Sequence, residues 1–135
     1  MQTFLPYPCF KTSAECLDRQ RLGKQRVEVL QLLKALRDGS GWVNHPATKM
    51  WRGHEESLIQ YGIQVCSEWI RRGYKDTCTG KILAFSDGSE VIHPSWVGNP
   101  DFHASHRSNL LRKKFDHYSQ FGWTESNNLE YVWPI

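Results

Sequence analysis

The sequence predicts an all-α fold, a single compact domain of about three principal helices with a minor hairpin and an aromatic C-terminal loop. A length of 135 residues suits one domain that can bury a core of its own. Apolar residues recur at helical spacing in three segments, and helix-starting and helix-stopping residues flank those segments. We therefore treat residues 1–135 as one domain.

The first long helix is predicted from about Thr12 to about Arg37. The segment TSAE has the form of a capping box, with Thr12 as the N-cap, and Gly39 is placed to cap the other end. Residues 2–8 contain two prolines and predict an extended arm before the helix, while Gly23 predicts a bend within it. The apolar stripe consists of Leu22, Val29, Leu30, Leu33 and Leu36.

The segment NHPATKMW predicts a second helix start, with Pro46 at the first helical position. A short helix, a break near Gly53 and a longer helix to about Arg72 are expected to follow. The segment ILAFSDGSEVI predicts two short strands around Asp87 and Gly88.

The last principal helix is predicted to begin at Pro100, because Asn99 precedes it as a good N-cap. The tail that follows is predicted to be a loop. Its aromatic side chains either pack in the core or stack on unpaired bases. They are Tyr118, Phe121, Trp123, Tyr131 and Trp133.

The net charge of +3 is modest, and its distribution is more informative. Residues 19–26 carry four basic side chains and no acid, and residues 107–114 carry four more. Two local basic clusters are typical of a surface that follows phosphates, although solvated helix faces explain the same pattern.

The four cysteines form no C-x-x-C pair and have no zinc-site spacing with histidine. We read them as reduced thiols of a cytoplasmic protein, because no secretory leader is recognisable before them. No apolar run reaches membrane-spanning length. We expect no metal, no cofactor and no membrane association.

Glu28 is the one carboxylate that follows the basic run of the first helix. Arg21, Lys24 and Glu28 are spaced i, i+3 and i+7, so they share one face beside the apolar stripe. A surface ion-pair ladder explains this spacing and would add little stability. The alternative is a carboxylate that nearby cations keep ionised, able to stabilise the positive charge that develops when a glycosidic bond breaks.

Three other side chains have two interpretations each. Arg26 lies near the apolar stripe and either packs its stem there or reaches a bound backbone. His103 and His106 share a helix face with Arg107, and the sequence places no third ligand for zinc. Contact with phosphate or a place at the edge of the core is expected for both histidines.

Four segments resemble the pyrimidine-dimer DNA glycosylase family, the endonuclease V type first known from phage. They are LDRQRLGKQRVEVLQ, NHPATKMW, RRGYKD and HASHRSNLLRKK, and their order and spacing carry the resemblance. It implies a compact all-α domain and a glycosylase that also acts as an abasic-site lyase. It places Glu28 at the family's catalytic glutamate, with Arg26 one residue further from the acid than the family's arginine. The other matching positions are Asn44, His45, Pro46, Arg107 and Arg112.

The best-understood members of this family use the α-amine of a small second residue, which becomes exposed when methionine is removed. Position 2 here is Gln2, a bulky residue that normally leaves Met1 in place. We therefore expect the α-amine of Met1 to be the nucleophile, because α-amines ordinarily titrate at about 8 and a minority is neutral at pH 7. Lys24 is the rival amine, and cleavage without an amine adduct is the third possibility.

The sequence thus predicts a DNA N-glycosylase with abasic-site lyase activity. Its substrate is expected to be double-stranded DNA with a pyrimidine dimer or a hypermodified pyrimidine, and the protein is expected to be a monomer. The alternatives are a non-catalytic DNA-binding module and a protein-interaction domain. The residues predicted to bind DNA are Arg19, Arg21, Lys24, Arg26, Asn44, His45, His103, His106, Arg107, Arg112 and Lys113.

Overall fold

Helices are the only regular elements in residues 1–39 and 41–135, the ranges that the structure, a computed structural model, describes. They are α1 (Phe10–Cys16), α2 (Arg19–Asp38), α3 (Pro46–Trp51), α4 (Glu55–Arg71), α5 (Thr79–Leu83), α6 (Pro100–Lys113) and α7 (Phe115–Tyr118), followed by a 3₁₀ turn at Ser119–Phe121. The all-α fold class is confirmed, and α2, α4 and α6 are the three principal helices.

The predicted start of the first long helix is wrong, because the helix is interrupted between Cys16 and Arg19 and two separate helices form. Asp18 caps α2 by accepting a hydrogen bond from the backbone N–H of Arg21 at 3.4 Å. Tyr118 stabilises this break, since its hydroxyl donates to the Asp18 carboxylate. Gly39 does end α2 as predicted, with a left-handed φ of 69°.

The predicted start and stop signals of the later helices are confirmed. His45 caps α3 and Pro46 opens it, and Gly53, with φ of 84°, lies at the break before α4. Asn99 caps α6 by accepting from two backbone N–H groups of its first turn. Helix α4 ends at Arg71, one residue before the expected end.

The predicted hairpin is wrong. Residues 79–83 form α5, and no strand is present in residues 84–92. The Asp87 turn is instead tied to α4, because the Glu56 carboxylate accepts from the Ser86 hydroxyl and the Asp87 backbone N–H, both at 2.9 Å. Contacts with a helix side chain replace the cross-strand pairing that the Asp-Gly signal suggested.

The core lies where α2 and α4 pack together, with α1 against α4 and the N-terminal arm beneath α6. Trp51, Tyr61 and Phe102 are fully buried in it. Helix α2 continues through Gly23, where a bend was predicted, without interruption. A Cβ at this position would lie 3.0 Å from the Trp69 ring, so glycine here permits close approach of that ring.

The arm predicted for residues 2–8 has no regular secondary structure, and residues 2–6 are buried. The aromatic tail packs over it, with Trp123 stacked on Tyr118 and donating its indole N–H to the Tyr7 hydroxyl at 2.7 Å. The four cysteines are free thiols. No helix within residues 1–39 and 41–135 has the length and apolar character needed to cross a bilayer.

Candidate active site

The site begins with the N-terminal arm, which is held by side chains of α2 and α3. The Gln25 side-chain amide donates to the Gln2 carbonyl at 2.7 Å and accepts from the Phe4 N–H at 3.0 Å. The Thr3 hydroxyl accepts from the Trp51 indole at 3.0 Å. Because a held backbone leaves few conformations to the residue before it, the two bonds from Gln25 restrict where Met1 can lie.

Two histidines of α6 hold the next residue of the arm. Leu5 donates its N–H to Nδ1 of His106 at 2.9 Å, and its carbonyl accepts from Nδ1 of His103 at 2.7 Å. Burial lowers the pKa of both imidazoles, that of His106 to about 3. Both rings are therefore neutral and serve the backbone of the arm.

This placement corrects the prediction that His103 and His106 bind DNA. The two side chains are 2% and 0% exposed, so neither can reach a phosphate in this conformation. The alternative of a core position is the one that the structure supports.

Met1 and Glu28 line one recess of about 260 Å³, between the arm, the start of α2 and the end of α6. Three cations predicted to bind DNA, Arg21, Lys24 and Lys113, line the same recess. The remaining lining residues are Gln2, Phe4, Gln20 and Tyr131. The structure thus brings both predicted catalytic residues together with three of the predicted DNA contacts.

Glu28 is partly buried in this recess, and its electrostatics follow from that burial. Burial raises the pKa of the carboxyl, whereas the α-amine, the Gln2 backbone N–H, Lys24 and Gln25 lower it, and the net shift is upward. The sequence suggested that the cations alone would set its ionisation, so burial is the stronger effect. A carboxyl with a raised pKa is better suited to proton transfer near neutral pH.

His45 is the second group whose ionisation the α-amine affects. Burial, and then the positive charge of the α-amine, lower the pKa of His45. Its Nδ1 accepts from the Ala47 N–H at 3.0 Å, and the rings of Trp42 and Trp133 meet it edge-on. Asn44, the residue before it, is exposed. The turn before α3 is thus close enough to Met1 for their charges to interact.

A second basic recess of about 520 Å³ adjoins the first, because Gln20 and Lys24 line both. Its other lining residues are Arg19, Gly23, Trp69 and Lys114. The positive surface therefore continues from the Met1 recess along the first turns of α2.

Arg26 lies outside both sets of lining residues. Its guanidinium donates to Asp76 at 2.8 Å and lies 4.4 Å from the centre of the Trp69 ring. Burial alone would raise the pKa of Asp76. Hydrogen bonds from Thr79 and Arg26 outweigh burial and lower this pKa to about 2. The predicted contact of Arg26 with DNA is therefore replaced by a structural pair between α2 and the segment before α5.

Arg107 and Arg112 also have partners within the protein. Arg107 donates to the Pro6 carbonyl at 2.7 Å and to Glu125 at 2.9 Å. Arg112 donates to the Asn127 carbonyl at 2.8 Å and to Asn109. These contacts tie the arm and the tail to α6, so the structure does not bring these two predicted DNA contacts to the recess.

Gln25, which joins the arm to Glu28, was not among the predicted site residues. Its Nε2 group donates to the Glu28 carboxylate at 2.8 Å as well as to Gln2. The signal was present in the sequence, because Gln25 follows Leu22 by three residues and precedes Val29 by four, so it occupies an apolar-stripe position. A polar side chain at a core-facing position needs buried partners.

The family model described as pyrimidine dimer DNA glycosylase matches residues 1–81, more than half of the chain. The chain belongs to the pyrimidine dimer DNA glycosylase family. No curated protein and no solved structure gives a significant match.

The matched region contains the arm, Glu28 and the turn at Asn44 and His45, and it reaches into α5. Helix α6 lies outside it, so Lys113 enters the recess from a part of the chain that the family model does not cover. The family name implies DNA as the substrate.

Proposed function

We propose that this protein is a DNA N-glycosylase with abasic-site lyase activity, acting as a monomeric single domain on a damaged or modified pyrimidine in double-stranded DNA. The observation that carries the proposal is the shared recess of Met1 and Glu28. An amine, a carboxyl with a raised pKa and surrounding cations are the groups that base excision by an amine nucleophile requires. Family membership supports the same reaction class.

In this proposal the basic side chains around the two recesses bind phosphates of one strand. Arg19, Arg21, Lys24 and Lys113 supply the charge. Asn44 and His45 approach the strand from the turn before α3. The target nucleotide must leave the base stack, because C1′ is inaccessible inside a duplex.

The neutral α-amine of Met1 attacks C1′, and the base leaves with the electron pair of the glycosidic bond and takes up a proton. Glu28, as carboxylate, stabilises the positive charge that develops on the sugar. The nitrogen then loses one proton, its lone pair forms the C=N bond as the C1′–O4′ bond breaks, and O4′ takes up a proton, which gives a protonated Schiff base between Met1 and C1′. Removal of a proton from C2′, with Glu28 as the base, then expels the phosphate on the 3′ side.

Borohydride trapping tests the nucleophile. The protein, checked by intact mass for a free Met1 amine, is incubated with an abasic duplex and borohydride, and the adduct is mapped by peptide mass spectrometry. We expect the adduct on the Met1 peptide. An adduct on Lys24 or Lys113, or none, would overturn the assignment of Met1.

A panel of duplexes tests the activity itself. Ultraviolet-irradiated, abasic and base-hypermodified duplexes are incubated with the protein and resolved on a denaturing gel. Strand cleavage of a base-containing duplex supports the proposal. Salt-sensitive binding without any product would indicate a non-catalytic DNA-binding module. Absence of binding at moderate salt would indicate a protein-interaction domain.

A further inference from the structure

We propose that Gln25 is a positioning residue that holds the Glu28 carboxylate and the Met1 α-amine in one fixed relationship. The inference rests on the proposed function, in which these two groups react with the sugar. Gln25 itself is 1% exposed and does not line the recess, so it would act only through its neighbours.

The Gln25 amide uses both of its N–H donors, and its oxygen also has partners. Nε2 donates both protons, one to the Gln2 carbonyl at 2.7 Å and one to Oε2 of Glu28 at 2.8 Å. Oε1 accepts from the Phe4 N–H at 3.0 Å and lies 2.7 Å from the Tyr61 hydroxyl. The one proton of the Tyr61 hydroxyl is shared between Oε1 and the Phe4 carbonyl, which lies 2.8 Å away, so both donors of the Gln25 amide and at least one lone pair of its oxygen are used.

The orientation of this amide is fixed by its partners. The Phe4 backbone N–H can only donate, so the atom that faces it must be the oxygen of Gln25. The NH₂ group must then face the Gln2 carbonyl and the Glu28 carboxylate, both of which accept. A flipped amide would lose all of these bonds, so Gln25 has one orientation.

The two hydrogen bonds that Gln25 donates end on the two parts of the proposed site. One ends on the carbonyl of Gln2, the residue directly after Met1, and the other ends on the carboxylate that shares the recess with Met1. Because both start from one nitrogen, the arm and the carboxylate cannot move independently. A misplacement of about 1 Å between reacting groups can cost on the order of 100-fold in rate.

The hydrogen bond from Gln25 also affects the ionisation of the Glu28 carboxyl. The N–H bond from Gln25 favours the ionised form of Glu28 and lowers its pKa, against the burial that raises it. Loss of this donor is expected to move the titration of Glu28 further upward. A residue that merely fills the core would have no such effect.

The test uses Gln25→Glu, which keeps the side-chain shape and the Oε1 contacts but replaces the donating nitrogen with oxygen. The measurements are the single-turnover rate of borohydride trapping, the Kd for a duplex with a non-cleavable abasic analogue, and the carboxyl titration by ¹³C NMR. We expect trapping to slow by about 100-fold while Kd changes by less than about threefold. We expect the carboxyl titration to move upward, with Glu28 and residue 25 titrating as a coupled pair.

Thr3→Val is the matched control. It removes one buried hydrogen bond to the arm, the one from Trp51, and leaves all bonds of Gln25 in place. It is expected to lose stability like the Gln25 variant but to keep a trapping rate within about threefold of wild type. If both variants slow trapping equally and the Glu28 titration does not move, Gln25 is structural only and the proposal is wrong.

A measurement on the unmodified sequence keeps the inference testable if Gln25→Glu does not fold. The Nε2 protons of Gln25 in a ¹⁵N-edited spectrum should shift with pH at the titration midpoint of Glu28, and Glu28→Gln should abolish that shift. If the chemical shifts of the Gln25 Nε2 protons do not change as Glu28 titrates, the proposal is wrong. Because this readout needs no DNA, it remains decisive even if the wild-type protein neither traps nor cleaves, an outcome that would count against the proposed function alone.

Discussion

Leu5 donates its backbone N–H to Nδ1 of His106 at 2.9 Å, although the two residues are 101 positions apart in the chain. A buried imidazole can accept this bond only when it is neutral. The contact therefore links the protonation of a residue on α6 to the position of the N-terminal arm, and through the arm to Met1.

The first prediction concerns stability in acid. The pKa of His106 is about 3 in the folded state, below the ordinary histidine value of 6.5. A depressed folded pKa gives stability that is present above the unfolded pKa and is lost as pH falls towards the folded pKa. We expect His106→Asn, which retains an acceptor that does not titrate, to have a flatter pH dependence between about 6.5 and 3, measured as urea midpoints.

At pH 7 the same variant should be less stable than wild type by about 1–3 kcal/mol, because it fills the site less well and imperfectly replaces a buried bond. Parallel curves for the two proteins across this pH window would show that His106 does not contribute to acid unfolding.

The second prediction concerns Glu28→Gln. This variant should bind an abasic-analogue duplex with near wild-type affinity and should lose at least about 100-fold in single-turnover cleavage, since proton transfer from a positioned acid or base contributes that much. Glu15→Gln, on the exposed face of α1, is the matched control. Cleavage by Glu28→Gln at the wild-type rate would mean that the site is assigned to the wrong residue.

The third prediction concerns the stability of that same variant. The raised pKa of Glu28 means that the stability it contributes is present at acid pH and is lost as pH rises through its folded pKa. Glu28→Gln should therefore gain stability relative to wild type as pH increases from 4 to 7, in thermal melts at matched ionic strength. A constant difference across this range would show that burial of the carboxylate carries no cost.

The fourth prediction separates DNA contacts from structural cations. Lys24→Gln and Lys113→Gln should each weaken duplex binding and lower the slope of log K against log salt by about 1. Lys34→Gln, an exposed lysine on α2 that lines neither recess, should leave the slope unchanged. Equal slopes in all three variants would place the DNA on another surface.

The fifth prediction assigns Arg26 to the fold. Arg26→Gln should not change the slope of log K against log salt. It should destabilise the protein by about 3 kcal/mol, because the buried carboxylate of Asp76 loses its cationic partner. Adding Asp76→Asn should restore part of that loss in a double-mutant cycle. If Arg26→Gln instead lowers the salt slope and leaves stability unchanged, Arg26 contacts DNA and this assignment is wrong.

The helices were predictable because their signals are local. Gly39, Pro46 and Asn99 act within a turn of their own positions, and apolar spacing identified α2 and α4. The hairpin was wrong because its Asp-Gly turn is held by Glu56, about thirty residues earlier. Burial of His103 was hidden for the same reason, since its partner Leu5 lies at the other end of the chain.

The site was predictable in part and for a different reason. Pairing Met1 with Glu28 came from the resemblance to a family, and the structure places both in one recess. Spacing alone left two interpretations of Arg21, Lys24 and Glu28 open, an ordinary ion-pair ladder and a carboxylate held among cations. Local pattern could not identify Gln25 as the link, because its partners come from two distant segments, Gln2 and Phe4 from the arm and Tyr61 from α4.

The tethered arm has a practical consequence for handling the protein. An affinity tag fused ahead of Met1 would convert the α-amine to an amide and force extra chain out through the recess, whereas Ile135 at the other terminus is 70% exposed. Exchange of Gln2 for a small residue would invite removal of methionine. The new α-amine would then lie about 3.8 Å from the position of the Met1 amine, one Cα–Cα step along the chain. Because the arm is hydrogen-bonded to Gln25, its backbone cannot shift to bring the new amine back to that position.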